Sequence, residues 1–280
     1  MLLKMKICER CGKEIPEEYN NLLCDDCYKK MEVPDIKIES TNNGITDPDY
    51  KENPEMEDKE QWKTNIGLFE KNNVLLWKPT KDMYTFIKNY CIEKIKSDPQ
   101  YPKFIWKPNI IDIGCGSGVG TNILSQEANF IWGIDKNKKS VEFAKQAFTR
   151  EKNGIYYSAQ EIFDHIDLTN DTREMMKFDV VVMIEIIEHV ADYANFLQTV
   201  IRKFDNGRDT EYFISTPNRN NDSIQKDHPK NSYHVREWTS EEFYAVLHQF
   251  FNDIKFYNSK GEPIEGYSTT HTPLLAKCKL

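Results

Sequence analysis

The sequence predicts an α/β domain, with a mostly parallel sheet and helices on both of its faces. From about residue 61, short apolar runs alternate with stretches of helical periodicity, a pattern typical of parallel strands joined by helices. A glycine-rich turn follows the first run, where missing Cβ atoms let a ligand lie against the backbone. The last two runs, "DIKFYN" and "LLAKCKL", have no helix between them, and they predict an antiparallel hairpin at one sheet edge.

The individual elements follow in a regular order. A first helix is predicted within "WKPTKDMYTFIKNYCIEKI", because apolar residues recur there at helical spacing. The predicted strands before the final hairpin are "NIIDIG", "NFIWGID", "GIYYSA", "FDVVVMI" and "EYFIST". The helices predicted between them cover residues 118–127, 137–149 and 189–204. A last helix is predicted in "TSEEFYAVLHQFF", which opens with the capping box Thr239-x-x-Glu242.

Size and composition favour one full domain with a small appendage. The chain has 280 residues, a mean hydropathy of −0.68 and no run near the roughly 18 apolar residues of a membrane span. We therefore expect a cytoplasmic protein without a membrane partner. Residues 1–60 hold 9 basic and 16 acidic residues, which accounts for most of the net charge of −8. The nearly neutral remainder neither supports nor excludes a polyanionic substrate.

The N-terminus carries two Cys-x-x-Cys pairs: Cys8, Cys11, Cys24 and Cys27. Such pairs in an intracellular chain are typical of metal ligands, and four thiolates close a structural Zn²⁺ site; a redox pair is the alternative. We predict a zinc knuckle over 1–32, an acidic linker over 33–60 and the main domain over 61–280. The knuckle is expected to contact a protein partner, the substrate or the main domain.

The glycine-rich turn lies in "IIDIGCGSGVG", between the first predicted strand and its helix. It lacks the third glycine of a Gly-x-Gly-x-x-Gly fingerprint, which disfavours a dinucleotide. Asp135 ends the second predicted strand, twenty-one residues after Gly114. An acid at this place can accept hydrogen bonds from both ribose hydroxyls of a nucleoside.

This turn resembles motif I of the class I S-adenosylmethionine (SAM)-dependent methyltransferases, written here Asp112 to Gly118. The resemblance implies a Rossmann-like, seven-stranded methyltransferase sheet. It places Ala159 and Gln160 beside the adenine, and the backbone of Met183 and Ile184 near the sulfonium. The full implied set of cofactor-binding residues is Asp112, Gly114, Cys115, Gly116, Asp135, Lys136, Ala159, Gln160, Met183 and Ile184. We interpret Cys115 as a small packing residue and not as a nucleophile.

The segment "MIEIIEHV" places Glu185, Glu188 and His189 where the fourth predicted strand leaves the sheet. Ligands of open α/β sheets bind outside the carboxyl ends of the strands. A helix starting near Glu185 would put the three side chains on one face, since they are spaced i, i+3 and i+4. Neighbouring carboxylates repel, and a cation between them relieves the repulsion. The alternative is that all three are solvated residues of an amphipathic helix.

Two later stretches, "STPNRNND" and "NSYHVREWTSEEF", return over the same sheet edge. Together with Glu-x-x-Glu-His they resemble the small-RNA 3′-terminal 2′-O-methyltransferases, and the ubiquinone-biosynthesis O-methyltransferases share the Glu-x-x-Glu-His segment. The resemblance implies a divalent metal such as Mg²⁺ or Mn²⁺, and histidines favour Mn²⁺, Fe²⁺, Co²⁺ or Zn²⁺ over Mg²⁺. The implied metal-binding and catalytic residues are Glu185, Glu188, His189 and His234.

The leading hypothesis is metal-assisted, SAM-dependent O-methylation of a sugar, nucleotide or RNA hydroxyl. His189 or His234, if not a ligand, is the candidate general base. One alternative is a metal-free methyltransferase of small molecules or glycans. Another is a non-catalytic, SAM-binding assembly subunit. Tyr233, Arg236 and Trp238 either orient the substrate or serve packing, with Arg236 paired to an acid.

Overall fold

The fold is taken from a computed structural model. It describes residues 5–7, 14–16, 78–99, 107–148, 154–158, 176–219, 229, 231 and 233–280. The predicted zinc ligands, the predicted linker, Ala159 and Gln160 lie outside the described residues. Near the N-terminus, strands β1 (Met5–Ile7) and β2 (Glu14–Pro16) pair antiparallel.

The main sheet has the mixed α/β topology that the alternating sequence pattern predicts. Its strands are β3 (Asn109–Ile113), β4 (Phe130–Asp135), β5 (Gly154–Ser158), β6 (Val180–Met183), β7 (Glu211–Thr216), β8 (Asp253–Tyr257) and β9 (Leu274–Lys279). They lie in the order β5-β4-β3-β6-β7-β9-β8. The strands from β5 to β7 are parallel, and β9 is antiparallel to both β7 and β8. The predicted antiparallel hairpin at the sheet edge is therefore confirmed.

The predicted helices are present, the first with its predicted length and the other four with shorter bounds. They are α1 (Lys78–Lys96), α2 (Val119–Leu124), α3 (Lys138–Phe148), α4 (Tyr193–Phe204) and α5 (Ser240–Leu247). The predicted capping box is confirmed: the Glu242 amide donates to Thr239 Oγ1 over 3.1 Å, and the Thr239 amide donates to Glu242 Oε2 over 2.9 Å. The helix predicted over 189–204 was wrong at its start, since Asp192 caps α4 by accepting from the Asn195 amide.

The side chains of each central strand alternate between two apolar cores. On β3, Ile111 and Ile113 share a buried cluster with residues of α4 and α5. Ile110 belongs to the opposite cluster, with residues of α1 and α2. Both faces of the sheet are thus covered by helices, which explains why the central strands read as continuous apolar runs.

The strand order reverses between β3 and β6. From β3 the chain builds outward through β4 to β5, and it then crosses back to place β6 on the other side of β3. The loops that leave β3 and β6 therefore diverge above neighbouring strands, and such a switch point opens a crevice at the carboxyl edge of a sheet. The glycine-rich turn and the Glu-x-x-Glu-His segment both lie at this crevice.

Helix α1 packs on one face of the sheet, against the helix that follows the glycine-rich turn. Met83 and Ile87 are fully buried and share a cluster with Leu124 of α2. In the described part of the chain, no helix combines the length and the apolar character needed to cross a bilayer.

Candidate cofactor and metal site

The glycine-rich turn is held against the neighbouring strand by its backbone. The amides of Gly114 and Cys115 both donate to the carbonyl of Ile134 on β4, over 2.7 and 3.0 Å. Gly116 has a φ of +52°, and a Cβ built on it would meet no atom within 4 Å. The left-handed backbone and the open space beside it form a cradle that a ligand can approach closely.

Asp135 lies beside this cradle at the end of β4. Its Oδ2 accepts from the Gly116 amide over 2.8 Å, and its Oδ1 accepts from the Asn137 amide over 2.8 Å. Burial raises the pKa of Asp135, and the two amides oppose that rise. Each carboxylate oxygen still has a second lone pair for a hydroxyl donor. The adjoining Lys136 is exposed.

Asp112 is fully buried beneath the turn. Thr121 Oγ1 donates to one carboxylate oxygen over 2.6 Å, and the Tyr84 hydroxyl donates to the other over 2.9 Å. Burial raises the pKa of Asp112 to about 7, against the effect of these two donors. The ring of Tyr84 also fills the space above Gly120, where an added Cβ would come within 2.2 Å of it. Tyr84 lies on α1, far from the motif in sequence, so the spacing of the motif gives no signal for it.

Met183, Ile184 and Cys115 are further predicted cofactor residues that the structure describes. Met183 and Ile184 are both buried at the end of β6. Cys115 is buried with Val141 and Ala144 of α3, as expected of a packing residue.

The glycine-rich turn and the Glu-x-x-Glu-His segment are in direct contact. A Cβ built on Gly114 would lie 2.0 Å from Cδ1 of Ile186. The glycine therefore leaves room for the isoleucine of the second motif, and the two loops pack as one unit.

Glu185 does not begin a helix, so the predicted helical arrangement of the carboxylates was wrong. Glu185 has a φ of +56°, and a short 3-10 helix spans Ile187–His189. The Glu185 amide donates to Ser215 Oγ over 2.9 Å, and the Ser215 hydroxyl donates back to Glu185 Oε1 over 2.7 Å. A left-handed conformation of a non-glycine residue is strained, and this reciprocal pair with β7 holds it. Burial raises the pKa of Glu185 to about 7, although Ser215 lowers it.

Three of the four predicted metal ligands come together in space. Glu188, His189 and His234 each offer a ligand atom, and these atoms lie within 4.8 Å of one another. The side chain of Glu188 is fully buried, and neither carboxylate oxygen makes a hydrogen bond of ordinary geometry to a described residue. Burial, followed by the charge of Glu185, raises the pKa of Glu188 well above its usual range. The side chain of Thr216 on β7 lies close enough to oppose this rise in the pKa of Glu188. Glu185 lies beside this cluster and is hydrogen-bonded to Ser215.

The segment that carries His234 folds back onto the 3-10 helix. The Val235 amide donates to the carbonyl of Glu188 over 2.8 Å, and Nδ1 of His189 lies 2.8 Å from the carbonyl of Tyr233. The two histidine rings meet edge to face with centroids 4.7 Å apart. Long-range backbone pairing thus brings together residues more than forty positions apart.

Arg236 and Trp238 both make packing contacts. Trp238 is buried and stacks on Phe243. The Arg236 guanidinium lies over the ring of Tyr193 at 5.0 Å and donates to the carbonyl of Ala191. Among the described residues, the partners of Arg236 are an aromatic ring and a backbone carbonyl, and not the acid that was expected.

The chain is similar to known methyltransferases in sequence. The family model described as "Methyltransferase domain" matches residues 107–254, just over half of the chain. A probable S-adenosylmethionine-dependent methyltransferase of Mycolicibacterium smegmatis is 27% identical over 139 residues, which cover 50% of this chain and 49% of the relative. The ubiquinone biosynthesis O-methyltransferase of Haemophilus ducreyi is 32% identical over 110 residues, or 39% of this chain and 45% of the relative. The chain spans about half the length of these curated relatives.

Solved structures share the fold. An S-adenosylmethionine-dependent methyltransferase from Clostridium acetobutylicum superposes with a TM-score of 0.54 at 12% identity, over 78% of this chain and 98% of that one. The small RNA methyltransferase HEN1 superposes with a TM-score of 0.51 at 20% identity, over 73% of this chain and 26% of that one. With the family match over the crevice-forming strands and loops, this chain belongs to the methyltransferase-domain family.

Proposed function

We propose that this protein is a SAM-dependent O-methyltransferase that acts on a sugar, nucleotide or RNA hydroxyl with the help of a divalent metal. The observation that carries the proposal is the buried carboxylate of Glu188. Its two oxygens make no hydrogen bond of ordinary geometry to a described residue, and it lies next to His189 and His234 at the mouth of the crevice. A buried carboxylate in this state calls for a cation or a proton.

The glycine-rich turn fits SAM. The open space beside Gly116 admits a ligand against the backbone, and Asp135 offers acceptors for ribose hydroxyls. Bound SAM supplies an electrophilic methyl group on its sulfonium. The contact between Gly114 and Ile186 keeps the cofactor turn in register with the second motif. The chain's contribution is therefore alignment of the acceptor with the methyl group.

The Glu188, His189 and His234 cluster fits a divalent metal. One carboxylate and two imidazoles suit Mn²⁺, Fe²⁺, Co²⁺ or Zn²⁺ better than Mg²⁺. A metal bound there supplies positive charge that lowers the pKa of a hydroxyl group. Nδ1 of His189 must donate to the Tyr233 carbonyl, because a carbonyl only accepts, and this leaves Nε2 as the basic nitrogen. Glu185 stands beside the three ligands, and we assign its carboxylate the role of proton acceptor.

The acceptor class is supported by sequence likeness. The matched relative from Haemophilus ducreyi is named an O-methyltransferase. The segments around Glu188 and His234 resemble those of small-RNA 2′-O-methyltransferases, whose acceptor hydroxyl has a hydroxyl neighbour. A vicinal diol of this kind can offer two oxygens to one metal.

The test is methyl transfer from labelled SAM to a panel of RNAs, nucleotide sugars, glycans and phenols, followed by mass spectrometry. We expect a methylated hydroxyl product, and we expect Glu188→Gln to lower kcat by at least about a hundredfold. Glu241→Gln, an exposed substitution on α5, is the matched control. Full turnover by Glu188→Gln in the presence of EDTA would contradict the metal-assisted reaction.

A metal-free methyltransferase is the second candidate, and one observation favours it. The raised pKa of Glu188, caused first by burial and then by Glu185, allows this group to remain protonated and neutral without a cation. Turnover that is insensitive to EDTA supports this candidate. SAM binding without transfer to any acceptor would support a non-catalytic assembly subunit.

We also propose that the N-terminal cysteines bind a structural Zn²⁺ and form a contact site for a protein partner. The paired strands β1 and β2 support this, because the residues that join them in sequence include Cys8 and Cys11. Cys8→Ser should lower the zinc content measured by mass spectrometry by one ion per chain. An unchanged zinc content in that variant would rule the site out.

A further inference from the structure

His234 has partners on both of its ring nitrogens. Nδ1 lies 2.6 Å from Glu237 Oε1, and Nε2 lies 2.8 Å from the side-chain Nδ2 of Asn231. The orientation of the Asn231 amide follows from a third contact, because its Oδ1 accepts from the Tyr233 amide over 3.0 Å. Nδ2 of Asn231 is therefore the atom that faces the ring, and it can only donate.

These contacts determine the tautomer of His234. An ionised carboxylate only accepts, so Nδ1 carries a proton and donates to Glu237. Nε2 accepts from Asn231 and is unprotonated. The nitrogen that could bind a metal is thus the nitrogen that Asn231 occupies, and one lone pair cannot serve both.

Glu237 acts on the same ring in the opposite direction. A carboxylate that accepts from the far nitrogen of a histidine fixes the ring and makes the near nitrogen a stronger ligand. The side chains of His234 and Glu237 are only 9% and 12% exposed, so water competes little with this hydrogen bond. The charge of Glu237 also faces Glu185 and Glu188, which strengthens the attraction of the cluster for a cation.

We propose that Asn231 and Glu237 are opposing positioning residues of His234, so that Glu237 promotes metal binding and Asn231 competes with it. This inference rests on the metal site proposed above. Neither residue is a ligand: both act through the imidazole of His234. The affinity for the metal then depends on these two opposing effects, and a substitution at either residue changes it in a predictable direction.

The test is a titration of the full-length protein with Mn²⁺, in which electron paramagnetic resonance measures the free ion. Mn²⁺ is chosen because the cysteine pairs prefer softer metals. We expect Asn231→Ala to bind Mn²⁺ about fivefold more tightly, the worth of one released hydrogen bond. We expect Glu237→Ala to bind it about tenfold to a hundredfold more weakly, with Glu237→Gln in between.

Controls separate this mechanism from a change in folding or in net charge. Asn89→Ala and Glu241→Gln make comparable changes at exposed positions and should leave the Mn²⁺ affinity unchanged. In a His234→Ala background, Asn231→Ala should have no effect, and Glu237→Ala should keep only its smaller charge effect. Circular dichroism and thermal melting of every variant show whether it is folded.

The outcomes distinguish this inference from the metal site itself. Shifts of opposite sign that vanish or shrink without His234 support it. Shifts of the same sign, or no shift in a wild-type protein that binds Mn²⁺ through His234, overturn it while the metal site stands. If the wild type shows no binding, binding by Asn231→Ala alone supports the competition, and its absence overturns both proposals.

Discussion

Gly114 and Gly116 show at the residue scale how one motif meets two separate demands. Both have left-handed backbone, with φ of +77° and +52°. The space beside Gly114 is filled by Ile186, whereas the space beside Gly116 is open. Gly114 is therefore needed for the packing of two loops, and Gly116 for the approach of a ligand.

This difference predicts different behaviour of two alanine variants. Gly114→Ala should lower the free energy of unfolding by ~3 kcal/mol, from overpacking plus backbone strain, even without cofactor. Gly116→Ala should lower it by only about 1 kcal/mol, yet weaken SAM binding at least about tenfold. Chemical denaturation and calorimetric titration measure the two quantities. Ile186→Ala should restore part of the stability lost in Gly114→Ala, and a lack of any rescue would refute the contact.

Helix α1 shows at the element scale how a distant segment supports the site. Its Tyr84 holds Asp112 beneath the cofactor turn, while Tyr90 and Lys94 bond to Glu211 at the start of β7, over 2.5 and 2.9 Å. The side chain of Glu211 is 1% exposed. Burial alone would raise the pKa of Glu211, but the donors outweigh it and the pKa is lowered.

The lowered pKa of Glu211 predicts a loss of stability in acid. A carboxylate whose folded pKa lies below its unfolded value, about 4.3 for Glu, stabilises the fold above that value. This contribution is lost as the pH falls through the folded pKa. Glu211→Gln should therefore lower the free energy of unfolding by about 3 kcal/mol at pH 7, and the difference should shrink below about pH 4. Denaturation curves measured from pH 7 to pH 3 provide the check.

Asp209→Asn is the matched control for this prediction. Asp209 contacts Lys94 and Lys279, but its side chain is 57% exposed, so its loss should cost less than ~1 kcal/mol. An equal difference between wild type and Glu211→Gln at all pH values would show that the ion pairs are not its cause.

At the scale of the whole molecule, the proposed cofactor site and the proposed metal site lie side by side at one switch point of the sheet. The cofactor turn follows β3 and the metal cluster follows β6, and these strands are neighbours. The residues of the two sites do not overlap: the backbone near Gly116 and the carboxylate of Asp135 form one, and the cluster around Glu188 forms the other. Binding of SAM and binding of metal should therefore be separable.

We accordingly expect SAM at a hundred times its Kd to raise the free energy of unfolding by ~2.7 kcal/mol in wild type and in Glu188→Gln alike. Methyl transfer should be lost in the variant only. Thermal shift and transfer assays on the same samples measure both effects. A variant that no longer responds to SAM would mean that the two sites depend on one another.

The order of strands and helices could be predicted because each element carries its own periodicity. The motif residues from Asp112 to Gly118, and Asp135, could also be predicted, because they lie within a few residues of the ends of their strands. The contacts of Tyr84, Ser215, Asn231 and Glu237 were not, because each reaches a partner in a distant element or depends on an orientation that spacing alone does not give. The helix expected at Glu185 failed for a related reason: its contact with Ser215 stabilises a backbone conformation that local propensity disfavours.

The sequence by itself determined the α/β alternation, the glycine-rich turn and the kinds of side chain at the crevice, because hydrophobic periodicity and turn chemistry act over a few residues. Only the tertiary structure decided which of those side chains meet. It brought Glu188, His189 and His234 together, set Glu185 against Ser215 and left the Glu188 oxygens without a hydrogen bond of ordinary geometry to a described residue. The reason is that distances between loops are set by sheet order and packing, and neither can be read from the spacing of residues along the chain.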